Sequence, residues 1–353
     1  MKRLIVCCDG TWNVADPTDG SPTNVVRIAM NVAPSGGGVD QRVYYHSGVG
    51  TGPVGRFVGG AFGVGLSDLV LHAYRFLVAT WEPGDELFLF GFSRGAFTVR
   101  SLGGLIRNSG IVRPEHADQV EAAYQLYRSR MPSDEPEGRA AALFRATWAR
   151  EAEVRCIGVF DTVGALGVPF TGNAAGEWIN QRWAFHDTRL GPHVRSAFHG
   201  LAIDERRGPF TPSLWTEATA NQEVKQVWFR GCHSDIGGGL QDPDLADVTL
   251  RWMVTQAESC GLSFRPGAFQ ACATPADEAR SSGACIRPDP AGAQHDSGGG
   301  LWFMAGLTDR TFGDPEEGLR PGEAIASTVA GTTPPLPSTF RADPPGPIEK
   351  IDL

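Results

Sequence analysis

The run Leu87-Phe88-Leu89-Phe90-Gly91-Phe92-Ser93-Arg94-Gly95-Ala96-Phe97 leaves a chain few ways to fold. Residues 86–90 are an apolar stretch that stops at Gly91, which reads as a strand buried on both faces. Helical character takes over after Gly95 and carries to residue 106. Only Phe92, Ser93 and Arg94 lie between the two glycines, so the turn is tight and backbone passes close to it without a Cβ clash. Such a turn lifts the Ser93 hydroxyl clear of the strand end, at the start of a helix whose dipole favours negative charge. A plain strand-to-helix turn with a capping serine is the bland alternative, and it does not need a glycine on each side. Ser93 is the candidate nucleophile.

The same rhythm recurs along the chain. Apolar strand-like runs occupy residues 4–8, 42–46, 154–160, 196–203 and 226–229. Helical stretches fall between several of them, one led in by Thr23 and Asn24, another carrying Leu66, Leu69, Val70, Ala73, Leu77 and Trp81 on one face. Alternating strands and helices imply an α/β fold of the α/β-hydrolase type, a mostly parallel sheet with helices on both faces. The expected organisation is a single domain over residues 1–353, with a core of about 1–262. A polar helical insertion at about 113–152 reads either as a cap walling the Ser93 cleft or as a helix pair packed on the sheet. Residues 263–353, rich in Pro, Gly, Ala and Ser, read as a loop-rich C-terminal region packed on the core, with a short element near 301–307.

A serine of this kind needs a base and an orienting acid at the ends of later strands. His233 meets the first need: Val227-Trp228-Phe229-Arg230-Gly231-Cys232-His233 is a strand entering a loop, and Gly237, Gly238 and Gly239 follow. His46 and His72 precede the serine, His116 and His295 sit in polar insertions, and His186, His193 and His199 precede the last strand. Asp161 meets the second, ending the apolar run Cys156-Ile157-Gly158-Val159-Phe160, where functional groups of open α/β sheets gather. Asp204 ends the next strand and is the rival acid; Asp235 is adjacent to His233 and is expected to shape its loop. Oxyanion donors are expected from the Arg94 N–H and from Gly10 and Thr11 in the loop Asp9-Gly10-Thr11-Trp12-Asn13, with Asp9 in support.

Other motifs carry less. Cys8-Asp9-Gly10-Thr11 has the letters of an aspartyl-phosphate phosphatase motif, but the nucleophile position holds Cys7. Gly48-Val49-Gly50-Thr51-Gly52 lacks both the dinucleotide spacing and a Gly-Lys-Ser/Thr ending. A net charge of −9 removes the basic footprint that nucleic acid requires, and also electrostatic docking on anionic lipid, leaving peripheral membrane contact through apolar surface open. No stretch is apolar enough to span a membrane, and Asp9 and Gly10 interrupt the N-terminal apolar run before a signal peptide develops. The seven cysteines are scattered and read as reduced thiols, hence a cytoplasmic protein, with secretion by a route needing no cleaved signal compatible.

Taken in order, five segments resemble one family. They are Leu4-Ile5-Val6-Cys7-Cys8-Asp9-Gly10-Thr11-Trp12-Asn13, Gly91 to Phe97, Gly158 to Gly167, Leu201-Ala202-Ile203-Asp204-Glu205-Arg206, and Gln226 to Gly239. Over roughly residues 3–255 the chain is similar to the uncharacterised α/β-hydrolase domain family of bacteria and fungi that includes type VI secretion phospholipase effectors. The resemblance implies Ser93 as nucleophile with Asp161 and His233 as partners, a small-molecule or lipid ester as substrate, and no metal or organic cofactor. Two rivals belong to other classes: a non-catalytic member binding a lipid or partner in the same cleft, and metal-assisted hydrolysis through Asp9, His233 and Asp235.

Overall fold

The structure is a computed structural model that describes residues 1–10, 21–48, 61–164, 189–272, 284–297, 306–314, 316–330, 335–340 and 346–353. Strand β1 (Lys2–Cys8) lies inside a nine-stranded sheet, paired in parallel with β3 (Val39–His46) on one side and β4 (Glu86–Phe92) on the other. From β4 the sheet runs outward through β7 (Val154–Phe160), β8 (Val194–Ala202), β9 (Glu223–Phe229), β10 (Glu323–Ala326) and β11 (Ile348–Glu349), each pair parallel. At the other edge β2 (Ser35–Gly36) is antiparallel to β3. The winding reverses between β1 and β4, so the crevice outside their carboxyl ends is the switch point at which open α/β sheets bind ligands.

Period-two alternation divides the sheet residues between two cores. Ile5, Cys7, Phe88, Phe90, Cys156 and Phe198 face helices α1 (Asn24–Asn31) and α7 (Asp244–Ser259). Leu4, Val6, Leu87, Leu89, Val154 and Ile157 face helices α2 (Ala61–Thr80) and α3 (Arg94–Ser109). Burial on both faces explains why these strands are continuous apolar runs rather than alternating ones. A short helix α6 (His233–Gly237) follows β9.

The helical insertion does not roof the crevice. Helices α4 (Val120–Arg128) and α5 (Arg139–Trp148), with the hairpin-like pair β5 (Ile111–Val112) and β6 (Ala149–Arg150), pack on the second half of α3. The Tyr127 ring lies against Gly104, Ser109 Oγ donates to the Ala123 carbonyl at 3.0 Å, and Arg145 Nη1 donates to the Asn108 carbonyl at 2.7 Å. Gly104 is about 15 Å along the helix from Arg94 at 1.5 Å per residue, so the cap reading gives way to the packed helix pair.

Two expectations change in the C-terminal region. It is loop-rich, but β10 and β11 extend the sheet in parallel pairing, and the buried Glu323 that opens β10 accepts from Trp228 Nε1 at 2.9 Å and from the Gly313 N–H at 2.9 Å. The thiols are not all reduced either: Cys272 and Cys285 form a disulfide, leaving Cys7, Cys8, Cys156, Cys232 and Cys260 free and buried. The two cysteines stand 13 positions apart, a spacing that does not by itself bring them together. Unfolded without reductant, the oxidised protein is expected to titrate five thiols, rising to seven after reduction; seven before reduction would show the pair to be open. Thr11, most of the glycine-rich run at 48–52 and most of the element expected near 301–307 lie outside the described residues.

Candidate active site

Ser93 sits where β4 turns into α3, with φ 57° and ψ −121°. A non-glycine residue at positive φ is strained, and the surroundings hold it there. A Cβ on Gly91 would lie 2.5 Å from the Gly95 carbonyl oxygen, and one on Gly95 2.0 Å from the Cys8 carbonyl oxygen. Both glycines are thus required by close backbone approach, and the second brings the end of β1 against the start of α3. The Ser93 N–H donates to the Phe160 carbonyl at 3.0 Å, tying the turn to the residue before Asp161.

Asp161 and His233 meet. His233 Nδ1 lies 2.5 Å from Asp161 Oδ2, with Asp161 fully buried and His233 5% exposed. Asp161 also has positive φ, 40°, and its own N–H donates to the Gly200 carbonyl at 2.7 Å. The imidazole is fixed by Phe92, the neighbour of Ser93, whose ring centroid is 4.7 Å away, and by Phe210, edge-on at 4.9 Å. Gly237 has to be glycine because a Cβ there would meet the Phe92 ring at 2.1 Å.

Burial disfavours a charged Asp161, but the Arg310 guanidinium and His233 outweigh it and hold the carboxyl well below the usual carboxylate range. Burial also pushes His233 below the ordinary histidine value, with Asp161 restoring only part of the loss. His233 is therefore neutral near neutral pH and able to accept a proton.

The rival acid is committed elsewhere. Asp204 Oδ2 accepts the Gly231 N–H at 2.7 Å and lies 3.3 Å from Arg230 Nε. Burial raises its pKa, against a smaller lowering by Gly231 and Arg230. Asp235 shapes the loop, as expected: its Oδ2 accepts the Cys232 N–H at 2.9 Å and its Oδ1 lies 2.6 Å from His295 Nδ1. Asp9 Oδ2 accepts from Thr23 Oγ1 at 2.7 Å and from Tyr45 OH at 3.1 Å, while its Oδ1 takes the Gly10 N–H at 2.7 Å. Gly10 is thus beside the elbow with its N–H already engaged, and Arg94 stands at the first position of α3, where N–H groups point out along the dipole. Among the described residues Asp9, His233 and Asp235 do not converge, and no group of three His, Cys, Asp or Glu side chains is arranged to hold a metal ion.

Three participants were not among the sequence's candidate site residues, though Glu205 lies in one of the segments that carry the resemblance. Arg310 grips the carboxylate of Asp161. Glu205 Oε2 accepts the His233 N–H at 3.2 Å, and Arg207 Nη2 donates to that same carboxylate oxygen at 2.8 Å.

Among the described residues no helix is long and apolar enough to cross a membrane. An uncharacterised protein of Saccharomyces cerevisiae, YEL023C, is 28% identical over 237 residues, which is 61% of this chain and 33% of that protein. The chain thus spans about a third of that curated relative's length. A crystal structure of an uncharacterised protein from Pseudomonas aeruginosa covers 75% of this chain and 46% of its own, with 17% identity and a TM-score of 0.45. A Tle1 effector bound to the VgrG spike of the type VI secretion system covers 68% of this chain and 51% of its own, with 18% identity and a TM-score of 0.38. The family described as the catalytic domain of Tle1-like phospholipase effectors of the type VI secretion system matches residues 2–256, more than half of the chain. The chain belongs to that family.

Proposed function

We propose that this chain is a serine hydrolase that cleaves the acyl ester of a lipid, with a phospholipid as the favoured substrate. The observation that carries the reading is the buried 2.5 Å contact of His233 with Asp161, next to a serine held at positive φ on a glycine-flanked turn. In this mechanism His233 Nε2 takes the Ser93 proton as Oγ attacks the ester carbonyl, while Asp161 stabilises the imidazolium. The tetrahedral oxyanion would be met by the Arg94 N–H and the α3 dipole. Collapse expels the alcohol with the proton from His233, leaving an acyl-enzyme. Water, deprotonated by His233, then attacks the acyl carbonyl and releases the fatty acid and free Ser93. Membership of a phospholipase effector family supports a lipid acyl ester, and the Cys272–Cys285 disulfide favours an oxidising destination over the cytoplasm.

The test is labelling with a fluorophosphonate followed by peptide mapping. Modification of Ser93 is expected at a rate that rises with pH as His233 loses its proton, and the midpoint should lie below the ordinary histidine value because burial lowers it. A panel of phosphatidyl lipids and p-nitrophenyl esters then defines the substrate. A folded protein that takes up no probe would be a binding cleft, and the reading would be wrong.

A further inference from the structure

The carboxylate facing His233 is held from its other side by a residue beyond the family match at 2–256. Arg310 Nη1 lies 2.6 Å from Asp161 Oδ1, and Nη2 lies 3.0 Å from Oδ2, a side-by-side double contact. Each terminal nitrogen also donates to a carbonyl, Nη1 to Ala202 at 2.8 Å and Nη2 to Phe210 at 2.6 Å. The Arg310 carbonyl in turn accepts from Thr339 Oγ1 at 2.7 Å, so the clamp is anchored in the C-terminal region.

We propose that Arg310 is a positioning residue for the reaction: its guanidinium fixes the Asp161 carboxylate against His233 and sets the proton affinity of that histidine. The inference rests on the Ser93–His233–Asp161 reading and deepens it. Asp161 Oδ2 is shared, receiving His233 Nδ1 at 2.5 Å and Arg310 Nη2 at 3.0 Å. A positive charge on that oxygen does two things. It makes a fully buried carboxylate tolerable without a proton, and it opposes a second positive charge on the imidazole beyond. Arg310 thus trades some stabilisation of the imidazolium for a base that stays neutral. The fork also matters sterically. With both oxygens gripped, and Oδ1 taking the Ala202 N–H at 3.1 Å as well, the carboxylate cannot rotate away from Nδ1. Phe210, whose carbonyl Arg310 holds, presents its ring to the same imidazole, so one guanidinium orders two of the groups that fix His233.

The charges around His233 are few. Glu205 accepts its backbone N–H and favours charge on the ring, Arg207, paired to Glu205 and stacked at 3.6 Å over Phe210, opposes it, and Asp235 lies two residues on, engaged with His295. His199, which accepts the Thr162 N–H at 3.0 Å beside Asp161, is pushed down to about 3 by burial and by Arg100, so it carries no charge at working pH. Arg310 brings its cation onto Asp161 itself, through both carboxylate oxygens.

The experiment follows the pH dependence of fluorophosphonate inactivation in the full chain, for wild type, Arg310→Lys and Arg310→Ala. Arg310→Ala is expected to react about a hundredfold more slowly, with its midpoint raised by about one pH unit. Methylguanidinium should recover at least about a tenth of the lost rate, while methylammonium should not; a cavity of about 360 Å³ lined by Phe210, Trp228 and Arg310 gives it a way in. Arg310→Lys keeps the charge without the fork, so its midpoint should stay near wild type while its rate drops about tenfold. A folded Arg310→Ala with unchanged rate and midpoint overturns the proposal. So does a slower rate with an unmoved midpoint and no response to methylguanidinium, since lost packing alone would do that. If the alanine variant does not fold, an unchanged rate in Arg310→Lys overturns it. Failure of wild type to label at Ser93 is a separate result that ends the triad reading, and with it this one.

Discussion

Replacing Ser93 with alanine is expected to lower ester turnover by about a thousandfold or more, with no loss of stability. The two halves of that result have different origins. On the proposed mechanism, without Oγ there is nothing for His233 to deprotonate, and His233 and Asp161 cannot compensate because they act on that one oxygen. What remains is the polarisation of the carbonyl by Arg94 N–H and the helix dipole. Stability should hold because Ser93 makes no side-chain cap on α3, so alanine orphans no capped N–H. Its φ of 57° strains serine and alanine alike. The change in unfolding free energy should stay within about 0.5 kcal/mol. Initial rates on the preferred ester and a urea titration check both halves. Turnover within tenfold of wild type would remove Ser93 from the chemistry.

The parts legible in the sequence share a physical cause. Strands β1, β4, β7, β8 and β9 are buried on both faces, so they stand out as apolar runs, and their ends mark where function gathers. Asp161 is visible for that reason, as the first polar group past its run, and His233 as the one histidine in the loop that follows the last such run. Arg310 had no comparable flag. Its partner is 149 positions away, the stretch around it has no periodicity, and its role depends on a C-terminal chain folding back onto β7 and β8. Strand β10 was hidden by its length of four residues and its leading Glu323, which looks solvated until Trp228 is seen to donate to it. The insertion stayed ambiguous for the opposite reason. Its amphipathic helices truly bury one face, but periodicity says nothing about which end of α3 they bury it against.

Asp161→Asn is expected to cost both activity and stability, and Asp204→Asn stability but little activity. Asparagine fills the same volume and tolerates the left-handed backbone at φ 40°, so the damage comes from the lost charge. Stability falls because Arg310, 7% exposed, loses its counter-charge and keeps only neutral acceptors, the asparagine oxygen and the Ala202 and Phe210 carbonyls; stranding a buried cation typically costs about 3–5 kcal/mol. Activity falls because an amide can donate to Nδ1 and hold the wrong tautomer of His233, which in serine hydrolases costs about 10⁴ in rate. The two losses separate in Asp161→Asn/Arg310→Gln: the double variant should regain much of the stability, since no cation is stranded, but none of the rate. Asp204→Asn keeps an oxygen for the Gly231 N–H but takes the 3.3 Å carboxylate from Arg230, itself 4% exposed, so its stability should fall as well, while labelling of Ser93 should fall less than tenfold. Urea midpoints and fluorophosphonate rates on the three variants decide the matter. Equal loss of labelling in Asp204→Asn and Asp161→Asn would mean that the contact between Asp161 and His233 is not the one that drives the reaction.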